Sequence, residues 1–328
     1  MAADLVDGYG RTVRDLRISV TDRCNFRCTY CMPHEGMEWL PRDELLTFEE
    51  LERVARVCVE RFGFDSIRIT GGEPTVRAHL PLLVEKLARL DVDLAMTTNG
   101  ATLALTAADL KHAGLDRVNI SLDSLRPDRF AQITARDALD RVLEGIDAAI
   151  EAGLHPVKIN CVLVRGVNDD EVVDFARFGR ERGVGVRFIE FMPLDAQGEW
   201  GMDKVVPAAE VVAAIEAVFP LEPVTERAGQ PAERWRYRDG AGDVGVIASV
   251  TRPFCGDCDR VRLTAEGQFR NCLFATKETD LRSLLRGGAS DDDLADAIAT
   301  DVAGKWAGHS IGRVEFVRPK RSMSQIGG

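Results

Sequence analysis

Residues 14 to about 220 show a repeated pattern of short apolar runs followed by longer stretches with apolar residues three or four positions apart. The first pattern is typical of β-strands and the second of amphipathic α-helices. The predicted strands are residues 16–21, 66–70, 93–97, 117–121, 157–164 and 186–191. The predicted helices are residues 48–62, 79–90, 107–113, 139–152, 170–182 and 208–218, with Thr47 and Thr106 as N-caps. This alternation predicts an α/β fold of βα units around a parallel sheet.

Six βα units leave two architectures open, because a complete barrel requires eight. An open doubly wound sheet and a partial barrel both fit the pattern. In either architecture, the carboxyl ends of the parallel strands lie along one rim. Polar groups follow several predicted strands: Gly71-Gly72-Glu73-Pro74, Thr97-Thr98-Asn99-Gly100 and Ser121-Leu122-Asp123. Each group alone is typical of a tight turn, but their repetition at one rim indicates a binding site.

The pattern changes after about residue 221, where connections bearing proline and glycine join hairpin-like β segments. These predicted β segments are residues 233–237, 244–250 and 261–273. We therefore expect two parts, a core over residues 1–220 and a β-containing C-terminal extension over residues 221–328.

Charge and length exclude some classes of function. The 328 residues carry a net charge of −11, which disfavours a nucleic-acid coat but allows a local basic pocket for an anion. The chain has no run of 18 apolar residues, and its start, Met-Ala-Ala-Asp, does not resemble a secretory leader. We therefore expect a cytoplasmic protein without membrane or nucleic-acid partners. Its eight cysteines are then better suited to metal binding than to disulfides.

Three of these cysteines, Cys24, Cys28 and Cys31, lie within eight residues directly after the first predicted strand. Clustered thiolates suit zinc or an iron–sulfur cluster. Structural zinc usually takes four ligands, and His34 is the one weak candidate for a fourth. This first cysteine set therefore favours a four-iron cluster with one iron open to another ligand. Cys58 and Cys161 lie in a predicted helix and strand, and we expect both in the core.

A second cysteine set consists of Cys255, Cys258 and Cys272. A C-x2-C pair with a distant third cysteine fits zinc about as well as iron. Between its members, Arg260 and Arg262 lie on one face of an apparent strand. Such charges are equally typical of a solvated surface, but beside a metal site two guanidinium groups also suit a polyphosphate.

The spacing of the first cysteine set, with Tyr30 before its last member, resembles the signature of radical S-adenosylmethionine (SAM) enzymes. In that superfamily a [4Fe–4S] cluster binds SAM at its open iron and cleaves it to a 5′-deoxyadenosyl radical. The resemblance favours a partial (βα)6 TIM-type barrel. It also assigns Gly72, Ser121, Met192 and the main chain of Tyr30 to the SAM site, with a core role for Met192 as the alternative.

Further motifs resemble the GTP 3′,8-cyclases of molybdenum-cofactor biosynthesis. They are residues 14–33, residues 68–74, the second cysteine set with Arg260-Val261-Arg262, and the terminal Gly327-Gly328. The resemblance implies that a radical at C3′ of GTP attacks C8, which gives (8S)-3′,8-cyclo-7,8-dihydroguanosine 5′-triphosphate. It implies a second [4Fe–4S] cluster, held by the second cysteine set, that binds the guanine base.

The same resemblance assigns residues to the substrate. They are Arg17, Arg68, Thr97, Lys158, Arg260, Val261 and Arg262, with Arg187 added from its position in the sixth strand. It further implies that Gly327 and Gly328 reach the active site and act there with Arg17, although a mobile chain end is the simpler physical interpretation. An electron donor such as a flavodoxin and a homodimer are expected by analogy. The alternatives are a radical SAM peptide-modifying maturase with an auxiliary cluster and a non-catalytic protein that binds a metal cluster.

Overall fold

The structure is a computed structural model that describes residues 3–32, 37–195, 197–225, 230–313 and 316–327. Its centre is a run of six parallel strands that pair in chain order. They are β1 (Asp15–Ser19), β2 (Ser66–Thr70), β3 (Asp93–Thr98), β4 (Arg117–Ser121), β5 (Lys158–Leu163) and β6 (Gly185–Glu190). The six predicted strands are confirmed. Because a complete barrel has eight strands, this barrel is partial.

Helices follow these strands and complete the βα units. They are α1 (Phe48–Phe62), α2 (Leu80–Ala88), α3 (Ala107–His112), α4 (Pro127–Thr134), α5 (Leu139–Glu151), α6 (Val172–Arg182) and α7 (Ala208–Glu216). The short α4 was not predicted, although Pro127 at its first turn is a typical helix start. Thr47 forms the expected capping box with Glu50. Thr106 occupies the N-cap position of α3 as predicted, but its side chain forms no capping bond, because its hydroxyl bonds to the Thr102 carbonyl at 3.5 Å.

The chain after residue 220 extends the sheet at both edges. At one edge β9 (Asp243–Ile247) pairs parallel with β6, followed by antiparallel β8 (Glu233–Tyr237) and β7 (Leu221–Val224). At the other edge β10 (Arg260–Leu263) pairs parallel with β1, followed by antiparallel β11 (Gln268–Arg270) and β12 (Thr279–Asp280). The predicted segment 261–273 is therefore two strands, with a turn at Gly267, whose φ is 88°. The division at residue 220 stays a prediction.

Three later helices complete the fold: α8 (Leu281–Arg286), α9 (Asp291–Ala303) and α10 (Met323–Ile326). α9 lies beside α1, where Arg53 pairs with Asp291 at 2.7 Å. α10 brings the last described residues to the mouth of the barrel, where Met323 and Ser324 line its cavity. No helix in the described ranges has the length and apolar character needed to cross a membrane.

Strand alternation separates the core from the site. Leu16 and Ile18 are fully buried in the core between the sheet and its helices. Arg17, between them, points the other way, into the barrel. Parallel register then aligns Arg17 with Arg68 of β2 and with Arg262 of β10. These three residues, the basic row, therefore come side by side from three distant parts of the chain.

Candidate active site

The barrel encloses a cavity of about 490 Å³. The first cysteine set lies where the chain leaves β1, and the basic row and Lys158 lie further back along the strands. The cavity brings together these residues predicted for the site: Arg17, Cys24, Cys28, Tyr30, Cys31, Arg68, Gly72, Thr97, Ser121, Lys158, Arg187, Met192, Arg260 and Arg262. One continuous space therefore connects the cysteines with the cations.

The first cysteine set is anchored on the unpredicted helix α4. The Arg27 amide donates to the Thr134 carbonyl at 2.9 Å, and the Thr29 amide donates to the Ile133 carbonyl at 3.0 Å. The ring of Phe26 packs edge-on against Phe130, with 5.8 Å between centroids. The loop that carries the thiols is thus held from outside by main-chain bonds and an aromatic contact.

Gly72 holds the same loop from the inside. A Cβ at this position would lie 2.4 Å from the Arg23 carbonyl oxygen and 2.5 Å from that of Asp22. The Gly72 amide also donates to the Thr21 carbonyl at 2.8 Å. The close approach that requires glycine here is to the main chain directly before Cys24, and the assignment of Gly72 to the SAM site stays a prediction.

Burial keeps the three thiols protonated in the absence of a metal. It raises the pKa of Cys24 to about 11 and that of Cys31 to about 12, and it also raises the pKa of Cys28. A cationic iron–sulfur cluster would stabilise the thiolates and displace these protons. Three soft ligands in one loop facing a cavity fit such a cluster. His34, the weak candidate for zinc, lies outside the described residues.

Asp123 is a buried site residue that the sequence placed at the rim without a role. Its carboxylate accepts from the Tyr30 hydroxyl at 2.7 Å and from the Val162 amide at 2.8 Å. Burial raises its pKa to about 6. The bond to Asp123 fixes the Tyr30 side chain, so the main chain beside Cys31 is held in place. The aromatic residue before the third cysteine was the one signal of this pair in the sequence.

The basic row is short of partners. The Nε atoms of Arg17 and Arg68 are buried and have no hydrogen-bond partner among the described residues. Burial, with Arg17 next to it, lowers the pKa of Arg68 to about 9. Burial also lowers the pKa of Lys158 to about 8, with smaller effects from Arg187, Arg117 and Arg68. Buried like charges without partners indicate a site for a polyanion.

Two other predicted substrate residues differ from the basic row. Arg187 lines the cavity but pairs with Asp243 at 3.1 Å, so part of its charge is already compensated. The side chain of Val261 is fully buried in the core and does not line the cavity. Residues alternate between faces along β10, and its two arginines take the cavity face. The assignment of Val261 to the substrate therefore stays a prediction, and its main chain is the part that could make the contact.

Met192 and the polar residues of the rim occupy the middle of the cavity. Met192 lines the cavity and also packs against a small apolar cluster that includes Leu194 and Ile326, so it has a packing role, and its role at the SAM site stays a prediction. Register places Thr97 beside Asn119, and Ser121 beside Asn160. The three asparagines that line the cavity, Asn99, Asn119 and Asn160, were not predicted as ligands.

In the second cysteine set, Cys255 and Cys258 precede β10 and Cys272 follows β11, and none of the three lines the cavity. Cys255 begins a 3₁₀ turn that ends at Asp257, and Cys258 directly precedes Asp259 and β10. Arg11 donates to the Cys255 carbonyl at 2.6 Å, and the ammonium group of Lys305 lies 3.7 Å from the Cys258 sulfur. Burial raises the pKa of Cys258, but Arg260 and Lys305 outweigh it, and the net shift is downward. Neither Arg11 nor Lys305 was identified from the sequence.

The described part of the tail enters the cavity mouth. Arg262 donates from Nη1 to the Gly327 carbonyl. Gly327 has a φ of 86°, and a Cβ there would lie 2.5 Å from the Thr70 hydroxyl oxygen. Glycine is therefore required by both conformation and space. Gly328 lies outside the described residues, so its pairing with Arg17 stays a prediction.

Comparison with known proteins assigns the family. The model of the radical SAM superfamily matches residues 18–179, and that of molybdenum cofactor synthesis C matches residues 184–311. The GTP 3′,8-cyclase of Streptomyces coelicolor is 51% identical over 99% of this chain and 96% of its own length. That of Corynebacterium glutamicum is 49% identical over 99% and 89%. The chain belongs to the GTP 3′,8-cyclase family.

Solved structures share the fold of this family member. SuiB of Streptococcus suis bound to S-adenosylmethionine has a TM-score of 0.60 at 16% identity, over 88% of this chain and 69% of that chain. The structure titled anSMEcpe with bound AdoMet has a TM-score of 0.50 at 21% identity, over 63% and 58%. These likenesses confirm the partial barrel.

Membership of the family confirms several predictions at once. The protein is a radical SAM enzyme that uses SAM and an iron–sulfur cluster, and its step belongs to molybdenum-cofactor synthesis. Both alternative functions are disfavoured, because the relatives named GTP 3′,8-cyclase align over nearly the whole chain. In the described residues, no three Cys, His, Asp or Glu side chains are positioned to hold a single metal ion.

Proposed function

We propose that this protein converts GTP to (8S)-3′,8-cyclo-7,8-dihydroguanosine 5′-triphosphate inside the barrel cavity. The observation that carries the proposal is the single cavity with the first cysteine set at one end and unpartnered cations at the other. A reaction between a cluster-bound cofactor and a nucleoside triphosphate needs a cluster site and a triphosphate site in one enclosed space.

The cations bind the triphosphate. Arg17, Arg68 and Lys158 supply guanidinium and ammonium donors, and Arg262 supplies a fourth cation that also holds the tail. Burial, and to a smaller extent repulsion from neighbouring cations, lowers their pKa values in the empty protein, and phosphate oxygens would supply the missing counter-charge and hydrogen-bond acceptors. Substrate binding thus uses electrostatic energy that the fold has stored at this end of the cavity.

At the other end, we assign the first cysteine set to a [4Fe–4S] cluster and assign Tyr30, Gly72, Ser121 and Met192 to SAM. When bound, these groups supply the one-electron chemistry that removes hydrogen from C3′ of GTP. The residues between the two ends orient the ribose, since Thr97, Asn119 and Asn160 present hydroxyl and amide groups to the middle of the cavity. α10 limits the access of water at the mouth.

For the extension, we propose that the second cysteine set holds a second [4Fe–4S] cluster, which binds guanine. Arg260 and Arg262 leave the same segment toward the cavity, so this cluster would lie beside the substrate. Residues 1–220 would then form the radical SAM core and also bind the triphosphate through Arg17, Arg68 and Lys158. Residues 221–328 would hold the second cluster and contribute further GTP contacts, with Gly327 and Gly328 closing the site. A flavodoxin-like electron donor, a homodimer and a cytoplasmic location complete the proposal.

Anaerobic reconstitution tests the two clusters. We expect about eight irons and eight sulfides per chain, and about half of this after Cys255, Cys258 and Cys272 are replaced together by Ser. The triple variant should still cleave SAM without cyclising GTP. A triple variant that keeps the parent iron content, or cyclises GTP at the parent rate, would contradict the second cluster. Zinc in place of iron would contradict the whole proposal.

A further inference from the structure

The two cysteine sets lie in different electrostatic surroundings. Buried carboxylates of Asp123 and Glu73 act on the first set, together with the partly exposed Arg27. Arg11, Arg260 and Lys305 act on the second set, and all three are buried. Nearby charge and hydrogen bonds to sulfur are among the factors that set the reduction potential of an iron–sulfur cluster. Asp259 opposes the cations at Cys258, but the second set still has more cationic surroundings than the first.

We propose that Lys305 is a positioning residue that orients Cys258 and stabilises the reduced form of the cluster bound by the second cysteine set. The inference rests on the proposed function, which places a cluster there. A positive charge close to the cluster favours the state with one more electron, because that state carries more negative charge. Lys305 would therefore raise the reduction potential of this cluster and leave that of the first unchanged.

Lys305 is placed to do this by the end of α9. It follows Gly304, the C-cap of that helix, and only 3% of its surface is exposed. Its Nζ donates to the Arg260 carbonyl at 2.6 Å and lies 3.7 Å from the Cys258 sulfur. Lysine is almost never buried this completely without a charged partner. Among the residues that the structure describes, no carboxylate forms an ion pair with it.

Arg11 and Arg260 differ from Lys305 because each has a carboxylate beside it: Arg260 lies 3.4 Å from the Asp259 carboxylate. Arg11 is also buried, but its Nε pairs with the Asp7 carboxylate at 2.5 Å. Its Nη atoms donate to main-chain carbonyls of Cys255, Trp306 and Ala307 at 2.6 to 3.0 Å. Arg11 therefore fixes the loop while its charge is compensated by Asp7. The charge of Lys305 has thiolates as its nearest anionic partners once a cluster is bound.

The contact with the Arg260 carbonyl connects Lys305 to the substrate side as well. Arg260 begins β10, and its guanidinium lies over the Phe254 ring, 4.6 Å from the centroid. The bond from Lys305 thus fixes the main chain of Arg260 at the start of β10, next to Cys258 on one side and Arg262 on the other. A loss of this bond would shift the Cys258 thiol and the Arg260 guanidinium together, since only one residue separates them.

The test is a redox titration of the reconstituted full-length enzyme, followed by electron paramagnetic resonance. The variants are Lys305→Met, which removes charge and donors, and Lys305→Arg, which keeps the charge. Lys277→Met is the matched control, because Lys277 is exposed and lies five residues after Cys272. The first cluster is recognised by the change of its signal on addition of SAM, and the second by the change on addition of GTP.

We expect Lys305→Met to lower the ratio of reduced to oxidised second cluster about tenfold at a fixed potential, which corresponds to about 59 mV for one electron. Lys305→Arg should recover most of this change, and the first cluster should keep its potential. An unchanged ratio in Lys305→Met, or an equal change in Lys277→Met, would overturn the inference.

Iron content separates this inference from the proposed function. If Lys305→Met loses iron, Lys305→Gln is titrated instead, because its amide keeps a donor for the Arg260 carbonyl. Loss of the second cluster from the Met, Gln and Arg variants alike would show a purely structural lysine and overturn the inference. If replacing the second cysteine set leaves the iron content unchanged, no cluster is bound there, and the proposed function fails with the inference.

Discussion

Lys158→Met should make the empty protein more stable while it weakens GTP binding. Lys158 is the first residue of β5 and points into the cavity, where Arg68, Arg117 and Arg187 act on it as like charges. Burial, with these neighbours, lowers its pKa to about 8. Methionine keeps the length and most of the volume of the side chain and removes the charge.

The size of the effect follows from the pKa. A fall from 10.5 to about 8 corresponds to roughly 3 kcal/mol of unfavourable interaction with the charged lysine. Water in the cavity screens part of it, which leaves about 1–2 kcal/mol. The penalty is fully present below pH 8 and disappears as the pH rises toward 10.5, because the folded protein then gives up the proton that the unfolded chain still binds.

Lys158→Met should weaken GTP binding, although it stabilises the empty protein. A charge-assisted bond to phosphate contributes about 1.5–3 kcal/mol, so the dissociation constant for GTP should rise roughly 10- to 150-fold. SAM binding should change less than about twofold, since the first cysteine set is untouched.

Thermal unfolding and equilibrium binding under anaerobic conditions measure both effects. For a chain of this length, a gain of 1–2 kcal/mol corresponds to a rise in melting temperature of about 1.5–3 °C at pH 7. The rise should shrink at pH 9.5. Lys111→Met, at an exposed position in α3, is the control and should alter neither quantity. A lower melting temperature at pH 7, or an unchanged dissociation constant for GTP, would refute the reasoning.

Three further predictions concern the first cysteine set and the tail. Cys28→Ser should abolish SAM cleavage and remove about half of the iron. Cys58→Ser, in the core, should keep SAM cleavage and the full iron content. SAM cleavage by Cys28→Ser would contradict the assignment of the first cysteine set to the catalytic cluster. Gly72→Ala should also lower iron content, because its Cβ would collide with the Asp22 and Arg23 carbonyls. In the control Gly185→Ala the new Cβ meets ordinary contacts of 3.5 Å, and iron content should stay the same. Equal iron content in the two variants would disprove the packing argument. Arg321→Ala should release the tail, since Arg321 pairs with Glu266 at 2.5 Å and Glu278 at 2.6 Å. We expect faster proteolysis of the tail and about tenfold slower cyclisation. The control Lys320→Ala, at an exposed position, should match the parent, and an unchanged rate in Arg321→Ala would show that these ion pairs are dispensable.

The sequence alone determined the features that depend on near neighbours in the chain. The six core strands and their helices follow from local periodicity, and the capping box of Thr47 follows from Glu50 three residues later. Cys24, Cys28 and Cys31 are close together because they lie in one loop, so the sequence alone determines their grouping. The alternation along β10 likewise assigns Arg260 and Arg262 to one face and Val261 to the other.

Tertiary structure decided what depends on strand order and register. Arg17 and Arg262 are 245 positions apart in the chain, yet they are neighbours because β10 pairs with β1 on one side, in addition to β11 on the other. That pairing depends on the combined burial of many side chains, which no local pattern records. The same holds for Lys305 and Arg11, whose long-range bonds go to main-chain carbonyls, which have no sequence signal. The need for glycine at position 72 also became explicable only when the Asp22 and Arg23 carbonyls were seen against it.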